Sequence, residues 1–249
     1  VNIAPIGPLR DIQFAQYLHK HRHFDAAFIP SNQYPIALHL PTVYVIHDLI
    51  YEQFPEQLGS CSLLKRKYLR HVVATGLRRA KHIIAVSDYT KNEILRCYGD
   101  QYQHKIHVIH EGWEHLLDTL PDKSAELNIH FKRYILYVGS SRGHKNLTRL
   151  ISAMQLIGDK LPSDMGLVIV GNPNMFSHEQ LSTIKQINTY RNIIQITGWL
   201  SDEKLASCFQ KAKAVIFPSL CEGFGIPILE AYFYKVPLLL SNQSSLPEV

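Results

Sequence analysis

Residues 218–241 read PSLCEGFGIPILEAYFYKVPLLLS. An apolar strand ends at Ser219, a loop containing two glycines follows, and Pro227 stands where the first turn of a helix tolerates proline. The run PLLLS then supplies the next strand. Such a strand–loop–helix–strand unit presents backbone N–H groups and the positive end of a helix to an anionic ligand.

The same alternation of strands and helices extends over the second half of the chain. Several of its strands are apolar on both faces, which is typical of parallel strands covered by helices. The predicted strands are YILYVG (134–139), LVIVG (167–171), IIQITG (193–198), AVIFPS (214–219) and PLLLS (237–241). The helices predicted between and after them are 145–158, 177–190, 202–212 and 227–234, with Ser201 as the N-cap of the third.

The first half repeats this pattern with the strands AAFIP, TVYVIHD, HIIAVS and KIHVIHEG. A long helix is predicted from Cys61 to Ala80, and Thr90 with Glu93 predicts a capping box at the start of the next helix. The pattern lapses between residues 111 and 132, so we place the boundary there, with domains 1–112 and 113–249. Two doubly wound α/β domains would leave a cleft at the carboxyl ends of both sheets, where ligands bind in such folds.

Bulk composition favours a globular chain without membrane spans. The 249 residues are 46% hydrophobic and 19% charged, enough to bury a core. No run of eighteen apolar residues and no secretion signal appears in the sequence, and its four cysteines contain no C-x-x-C pair. We therefore expect a cytoplasmic location.

Positive charge is concentrated in the long helix of the first half, since no acidic residue lies between Glu56 and Asp88. Helix 61–81 could bind an anionic membrane surface, or its charges could simply be solvated; nucleic acid is disfavoured because no nucleic-acid-binding motif accompanies them. The basic residues are Lys65, Arg66, Lys67, Arg70, Arg78, Arg79 and Lys81. The predicted inward stripe is Leu63, Leu64, Leu69, Val72, Val73 and Leu77.

Two carboxylates accompany the glycine loop of residues 218–241. Glu222 lies on the loop and Glu230 in the first turns of the helix, so both can face one cavity. A dinucleotide-binding loop is excluded because GFGIPI lacks the third glycine of that fingerprint. Spacing alone leaves open that Gly223 and Gly225 only shape a tight turn and that Glu230 is a helix-capping or a solvated residue.

The segment EGFGIPILE resembles the E-x7-E motif of glycosyltransferase family 4, the group 1 glycosyl transferases, which are retaining enzymes of the GT-B fold. The resemblance covers residues 40–249 and is greatest to bacterial mannosyltransferases of surface-polysaccharide synthesis. The other segments that resemble the family are TVYVIHDLIYEQFPE (42–56), VIHEGWE (108–114), YVGSSRGHKNLTRLISA (137–153), the stretch 196–231 and SSLPEV (244–249).

The resemblance implies roles for individual residues. The catalytic group comprises His47, which would hydrogen-bond the transferred sugar, Glu222 beside that sugar, and Lys145 at the diphosphate. Donor binding falls to Glu230 at the ribose and to the backbone of Gly223, Phe224 and Gly225. We add to the donor-binding group Ser140 and Arg142 of the loop before Lys145, and Trp199 from its place at a strand end. Trp199 would flank the base, although packing is an equal alternative.

Three positions need separate comment. Ser140 stands where the family commonly has arginine, for which Arg142 could substitute, and Lys235 stands where it commonly has glycine before a strand. Asp48 could orient the ring of His47 or cap the next segment.

No metal cofactor is expected. The sequence contains no D-x-D pair, and the HKHRH run at 19–23 lacks metal-type spacing, so we interpret it as a solvated helix end. Lys145 and helix dipoles would then stabilise the leaving diphosphate.

The sequence therefore predicts a GT-B glycosyltransferase with an acceptor-side first domain and a donor-binding second domain. It would transfer a hexose from a nucleotide diphosphate sugar, with GDP-mannose favoured, to a glycan or lipid-linked glycan acceptor. A sugar-nucleotide epimerase or phosphorylase remains an alternative. Because the chain lacks an initial methionine and both of its ends look truncated, a noncatalytic binding fragment is another.

Overall fold

The computed structural model describes residues 13, 14, 16, 17, 20, 23–58, 62–118 and 127–249. The opening decapeptide, most of the HKHRH run, Cys61 and the middle of the predicted boundary lie outside these residues. The chain divides into two compact units, the first reaching Glu111 and the second beginning at Gly112.

The first unit contains a parallel sheet in the order β1-β2-β3-β4. All four strands lie where the sequence predicts them. Their bounds are β1 Ala27–Ile29, β2 Thr42–Ile46, β3 His82–Ala85 and β4 Ile106–Val108. The α-helices that follow β2 in this unit are α1 Ile50–Gln53, α2 Ser62–Arg79 and α3 Asp88–Tyr98.

Helix α2 packs on this sheet through its carboxyl-terminal half. Val72, Val73 and Leu77 are fully buried there, as predicted. A Cβ on Gly76 would lie 2.6 Å from Cε1 of Tyr44, a strand residue. Only glycine therefore lets the helix approach the sheet this closely.

The second unit contains a parallel sheet in the order β7-β6-β5-β8-β9. Its strands are β5 Arg133–Val138, β6 Met165–Val170, β7 Ile194–Gly198, β8 Ala214–Phe217 and β9 Leu238–Leu240. Its helices are α4 Leu147–Ile157, α5 His178–Tyr190, α6 Asp202–Lys211 and α7 Ile226–Phe233. The chain proceeds outward from β5 to β7 and then returns to β8 on the other side of β5, which makes the β5/β8 junction the topological switch point.

One predicted helix cap is confirmed and one is wrong. Ser201 is the N-cap of α6, as predicted. The capping box of Thr90 and Glu93 does not form, because α3 begins earlier and Ser87 is its N-cap, accepting a hydrogen bond from Thr90 N at 3.0 Å. Glu93 instead pairs with Arg96 one turn further along.

Lys235 keeps the turn that glycine would make. Its φ is +56°, in the left-handed region that favours glycine. Its N–H donates to Tyr232 O at 3.0 Å, and Val236 N donates to Ala231 O at 2.9 Å, so helix α7 still closes and leads into β9. The departure from the family pattern therefore leaves the turn intact.

The predicted apolar stripe of α2 is wrong at the start of the helix. Leu63 and Leu64 are 74% and 73% exposed. They precede the turns that reach the sheet, so they have no core to pack against.

No helix in the described ranges is both long and apolar enough to span a bilayer.

The charges of α2 are not all solvated either. Arg66 Nη2 and Arg70 Nη1 lie 2.8 and 2.9 Å from the same oxygen, Oε2 of Glu52. The Glu52 side chain is only 2% exposed. Glu52 belongs to α1 and precedes the stretch without acidic residues. A buried carboxylate is stable as an ion only when cationic side chains such as these two arginines pair with it.

We predict a strongly non-additive loss of stability when both arginines are removed. Arg66→Ala or Arg70→Ala alone should cost little, because the remaining guanidinium still pairs with Glu52. The double variant should cost about 3 kcal/mol, since it leaves a buried charge unpaired. Urea unfolding measures this, with the exposed Lys67→Ala as control. Equal, additive losses would contradict the assignment.

Candidate functional site

Two loops leave the switch point of the second sheet and are bonded to each other. The loop after β5 spans residues 139–146, and the loop after β8 spans residues 218–225. Leu220 N donates to His144 O at 2.7 Å, and Asn146 Nδ2 donates to Pro218 O at 3.0 Å. These bonds fix the two loops as one edge at the carboxyl ends of the strands, where ligands bind in such sheets.

Lys145 and Glu222 form an ion pair across these loops. Lys145 Nζ lies 2.7 Å from Glu222 Oε1, and their side chains are 18% and 10% exposed. The same ammonium lies 5.1 Å from the ring centroid of Phe217. Because Glu222 Oε1 has no hydrogen-bond partner within the described part of the chain, the contact is an ion pair outside hydrogen-bond geometry. The sequence analysis predicted both as site residues but did not predict that they pair with each other.

The glycine loop is braced by two serines of the carboxyl-terminal segment. Glu222 N donates to Ser244 Oγ at 2.9 Å. The buried Ser245 Oγ lies 3.1 Å from Glu222 O and 2.7 Å from Phe224 O. Gly225 has a φ of +123°, which only glycine adopts without strain. The sequence analysis identified SSLPEV as a family-like segment but predicted no role for its serines. Their spacing does not show that they would contact the glycine loop, which lies far earlier in the chain.

Gly223, Phe224 and Gly225, whose backbone the sequence assigned to donor binding, are all buried. They precede the amino end of α7 directly. This backbone therefore lies beside the positive end of that helix. Its binding of a donor stays a prediction.

Glu230 lies one turn into α7 and is partly buried. Burial, aided by the nearby Asp202 carboxylate, raises the pKa of Glu230 to about 7. The side chain is therefore a mixture of acid and carboxylate near neutral pH. The alternative of a fully solvated Glu230 is wrong.

The remaining donor-side residues differ in exposure. Ser140 is half-buried and Arg142 is exposed. Trp199 is 82% exposed directly after β7, so the packing alternative for this side chain is wrong. His144, which sequence reasoning did not single out, is buried; burial, aided by the charges of Lys145 and Arg142, lowers its pKa to about 4. It is neutral at physiological pH.

His47 belongs to the first unit and follows β2. Its Nδ1 lies 2.7 Å from Glu111 Oε1, with the two side chains 41% and 22% exposed. The Asp48 carboxylate accepts a hydrogen bond from Ile50 N at 3.1 Å, so of its two proposed roles the structure shows capping. Sequence reasoning missed Glu111 as the ring partner, because 64 residues separate it from His47.

No group of three His, Cys, Asp or Glu side chains in the described ranges converges as a metal site. The expectation of chemistry without a metal stays a prediction.

Two family models match the chain in succession. The family described as Glycosyl transferases group 1 matches residues 121–249, and the family described as Glycosyltransferase Family 4 matches residues 4–114. Together they account for both units.

Curated relatives are similar at moderate identity. The O-antigen chain mannosyltransferase B of Escherichia coli is 29% identical over 190 residues, which are 74% of this chain and 49% of that protein. The serotype-specific mannosyltransferase WbdA of Escherichia coli is 28% identical over 260 residues, covering 100% of this chain and 30% of that protein. The chain thus spans about half or less of the length of these relatives.

Solved structures share the fold. Alr3699/HepE of Anabaena, in a complex with UDP-glucose, superimposes with a TM-score of 0.73 at 19% identity, over 97% of this chain and 65% of that chain. At this identity the likeness concerns the fold alone. The predicted GT-B fold class, with two Rossmann-like units, is confirmed.

Glu230 should make stability depend on pH in a defined direction. Its folded pKa of about 7 lies above the ordinary value of 4.5, so the folded state binds the proton more tightly and loses stability as pH rises between these values. At about 1.4 kcal/mol per pKa unit, the loss is on the order of 3 kcal/mol above pH 7.

Glu230→Gln removes this charge. We expect the variant to melt several degrees above the wild type at pH 8 and close to it at pH 5, as measured by calorimetry. Glu203→Gln, an exposed position of α6, is the control. A difference independent of pH would show that Glu230 is not held as a partly protonated acid.

Proposed function

Because the chain belongs to the group 1 glycosyl transferases, whose model covers residues 121–249, we propose that it transfers a hexose from a nucleotide diphosphate sugar. The acceptor is a hydroxyl of a glycan or lipid-linked glycan, and the anomeric configuration is retained. The observation that carries this proposal is the Lys145–Glu222 pair at the switch point of the second sheet.

The donor is assigned along the carboxyl edge of this sheet. Its diphosphate lies at Lys145 and at the amino end of α7, which together offer a positive charge and backbone N–H groups. Its ribose hydroxyls reach Glu230, which accepts hydrogen bonds best as a carboxylate. The exposed ring of Trp199 is available to the base.

The ion pair suits the charges that develop during transfer. Departure of the nucleoside diphosphate builds negative charge, which the Lys145 ammonium stabilises. The sugar simultaneously gains positive, oxocarbenium-like character, which the Glu222 carboxylate stabilises. Leaving-group departure and acceptor attack occur on the same face of the sugar, which gives retention. Retention follows from the family resemblance.

Before the donor arrives, each charge needs a partner in the protein. Both side chains are largely buried, and an unpaired buried charge is costly. Lys145 and Glu222 therefore neutralise each other until the diphosphate draws the ammonium away. This leaves Glu222 beside the sugar with its charge uncompensated, as stabilisation of a sugar cation requires.

Mannose is the favoured hexose and GDP-mannose the favoured donor. Support comes from two relatives that are named mannosyltransferases. A UDP-linked donor is the competing case, because the Anabaena structure contains UDP-glucose. Transfer should therefore be measured with several nucleotide sugars, including GDP-mannose and UDP-glucose.

We predict transfer from GDP-mannose in preference to UDP-glucose, and a loss of about a hundredfold in turnover for Lys145→Met. Radiolabelled donors with an extract of lipid-linked glycans measure transfer, and NMR of the product reports the anomeric configuration. Lys185→Met, an exposed lysine on α5, is the matched control.

A near-wild-type turnover of Lys145→Met would show that Lys145 does not stabilise the leaving diphosphate. Altered sugar formed from donor alone would instead identify an epimerase or a phosphorylase. Thermal unfolding of the Lys145 variant is measured in parallel, because it leaves Glu222 without its partner.

We further propose that the chain attaches to an anionic membrane surface, where a lipid-linked acceptor lies. The attaching surface is the leucine–lysine patch at the start of α2, formed by Leu63, Leu64, Lys65 and Lys67, all exposed. Exposed leucines beside lysines fit the interface of an anionic bilayer. Arg66 and Arg70 are excluded from the patch because they pair with Glu52.

Binding to vesicles separates this patch from general charge. Each lysine near an anionic surface contributes about 1 kcal/mol, so reversing both patch lysines to glutamate should lower binding to phosphatidylglycerol vesicles by tenfold or more. Changing both patch leucines to serine should also weaken it. The paired reversal of Lys185 and Lys211, exposed in the second unit, is the control. If all variants sediment equally with the vesicles, the leucine–lysine patch is not the membrane-binding surface.

A further inference from the structure

We infer that Glu111 is a positioning residue for His47, holding its imidazole ring as a cation whose Nε2–H donates to a substrate hydroxyl. The inference rests on the proposed function for the identity of that substrate, a sugar. The hydrogen bonding of the ring itself is a property of the first unit alone.

Both ring nitrogens of His47 face hydrogen-bond acceptors. Nδ1 lies 2.7 Å from Glu111 Oε1, and Nε2 lies 3.3 Å from the carbonyl oxygen of Pro30. A neutral imidazole has one N–H and can satisfy only one of these acceptors. The imidazolium form has two N–H groups and satisfies both.

The backbone around His47 is fixed independently of the ring. Its N–H donates to Asn32 Oδ1 at 2.7 Å, and its carbonyl accepts from Thr90 Oγ1 at 3.3 Å. Glu111 lies beyond β4, and Ile109 N still bonds Ala85 O at 3.0 Å. The pair therefore connects the ends of β2 and β4, two strands that lie about 10 Å apart on either side of β3.

The groups that face the ring from the neighbouring elements favour the cation. These are the Glu111 carboxylate after β4, the Asp48 carboxylate after β2 and the Pro30 carbonyl after β1. Helix α3 contributes the Thr90 hydroxyl, which donates to the backbone carbonyl oxygen of His47. The hydrogen bond to Glu111 raises the pKa of His47 above its ordinary value, and partial burial opposes it.

The two hydrogen bonds differ in strength, and that difference defines the role. The charge-assisted bond to Glu111 is short, whereas the contact with Pro30 is long and easily exchanged. A sugar hydroxyl can therefore replace Pro30 at Nε2 while Glu111 keeps the ring in place. A cationic His47 donates hydrogen bonds and cannot serve as a general base.

NMR titration of nitrogen-labelled histidine tests this in the whole chain. In the wild type both ring nitrogens should carry protons at pH 7. Glu111→Gln keeps a hydrogen-bonding side chain but removes the charge, so the proton affinity of His47 should fall at least tenfold. Glu114→Gln, the same change at an exposed site three residues away, should leave it unaltered. A neutral ring in the wild type, or equal titration in Glu111→Gln, would overturn the inference.

Activity supplies a second readout that a purely structural role would not produce. The kcat/KM of Glu111→Gln should fall relative to the wild type at pH 8 and recover towards it at pH 6, where acid restores the proton. An equal loss at both pH values would count against the positioning role. If His47 titrates as expected but no sugar is transferred, the proposed function fails and the assignment of Glu111 stands.

Discussion

The ion pair of Lys145 and Glu222 is the interaction on which the rest of the second unit depends. It forms between the loops that follow β5 and β8, which are neighbouring strands in the sheet. A largely buried carboxylate must be neutralised, so the lysine loop and the glycine loop are held together. The backbone bonds between them and the serines behind the glycine loop keep this geometry without a ligand. The two loops are thereby held in place without a ligand, which is what the proposed electrostatic stabilisation of a transition state would require.

The first unit uses the same principle twice. Glu52 is buried under two arginines of α2, and Glu111 accepts a hydrogen bond from His47. The contacts of Glu52 join helix α2 to helix α1, and the contact of Glu111 holds the His47 ring just after β2. In each case the acid lies far in sequence from at least one basic partner. The charge distribution along the chain therefore differs from the charge distribution in space: helix α2 looks uniformly basic in sequence, yet the buried Glu52 carboxylate offsets part of the charge of Arg66 and Arg70.

These pairs also mark the limit of what the sequence could predict. Apolar runs and turn residues located the strands and the main helices, because periodicity and burial are local properties. The family resemblance named Glu222, Glu230 and Lys145 for the same reason, since a motif is local. Partners such as Glu111 for His47 depend on strand order, which no local pattern contains. The error at Leu63 has a similar cause: helical spacing assigns a face, but only the packed structure shows where the sheet ends beneath it.

The central claim is that Lys145 exchanges Glu222 for the diphosphate of the donor. Calorimetry of GDP binding tests this most directly, because GDP has the diphosphate but no sugar for Glu222 to contact. The account predicts that Glu222→Gln binds GDP at least as tightly as the wild type, since Lys145 no longer has to leave a partner. Lys145→Met should bind GDP more weakly. If Glu222→Gln weakens GDP binding as much as Lys145→Met does, the ion pair only holds the two loops together and Lys145 does not exchange Glu222 for the diphosphate.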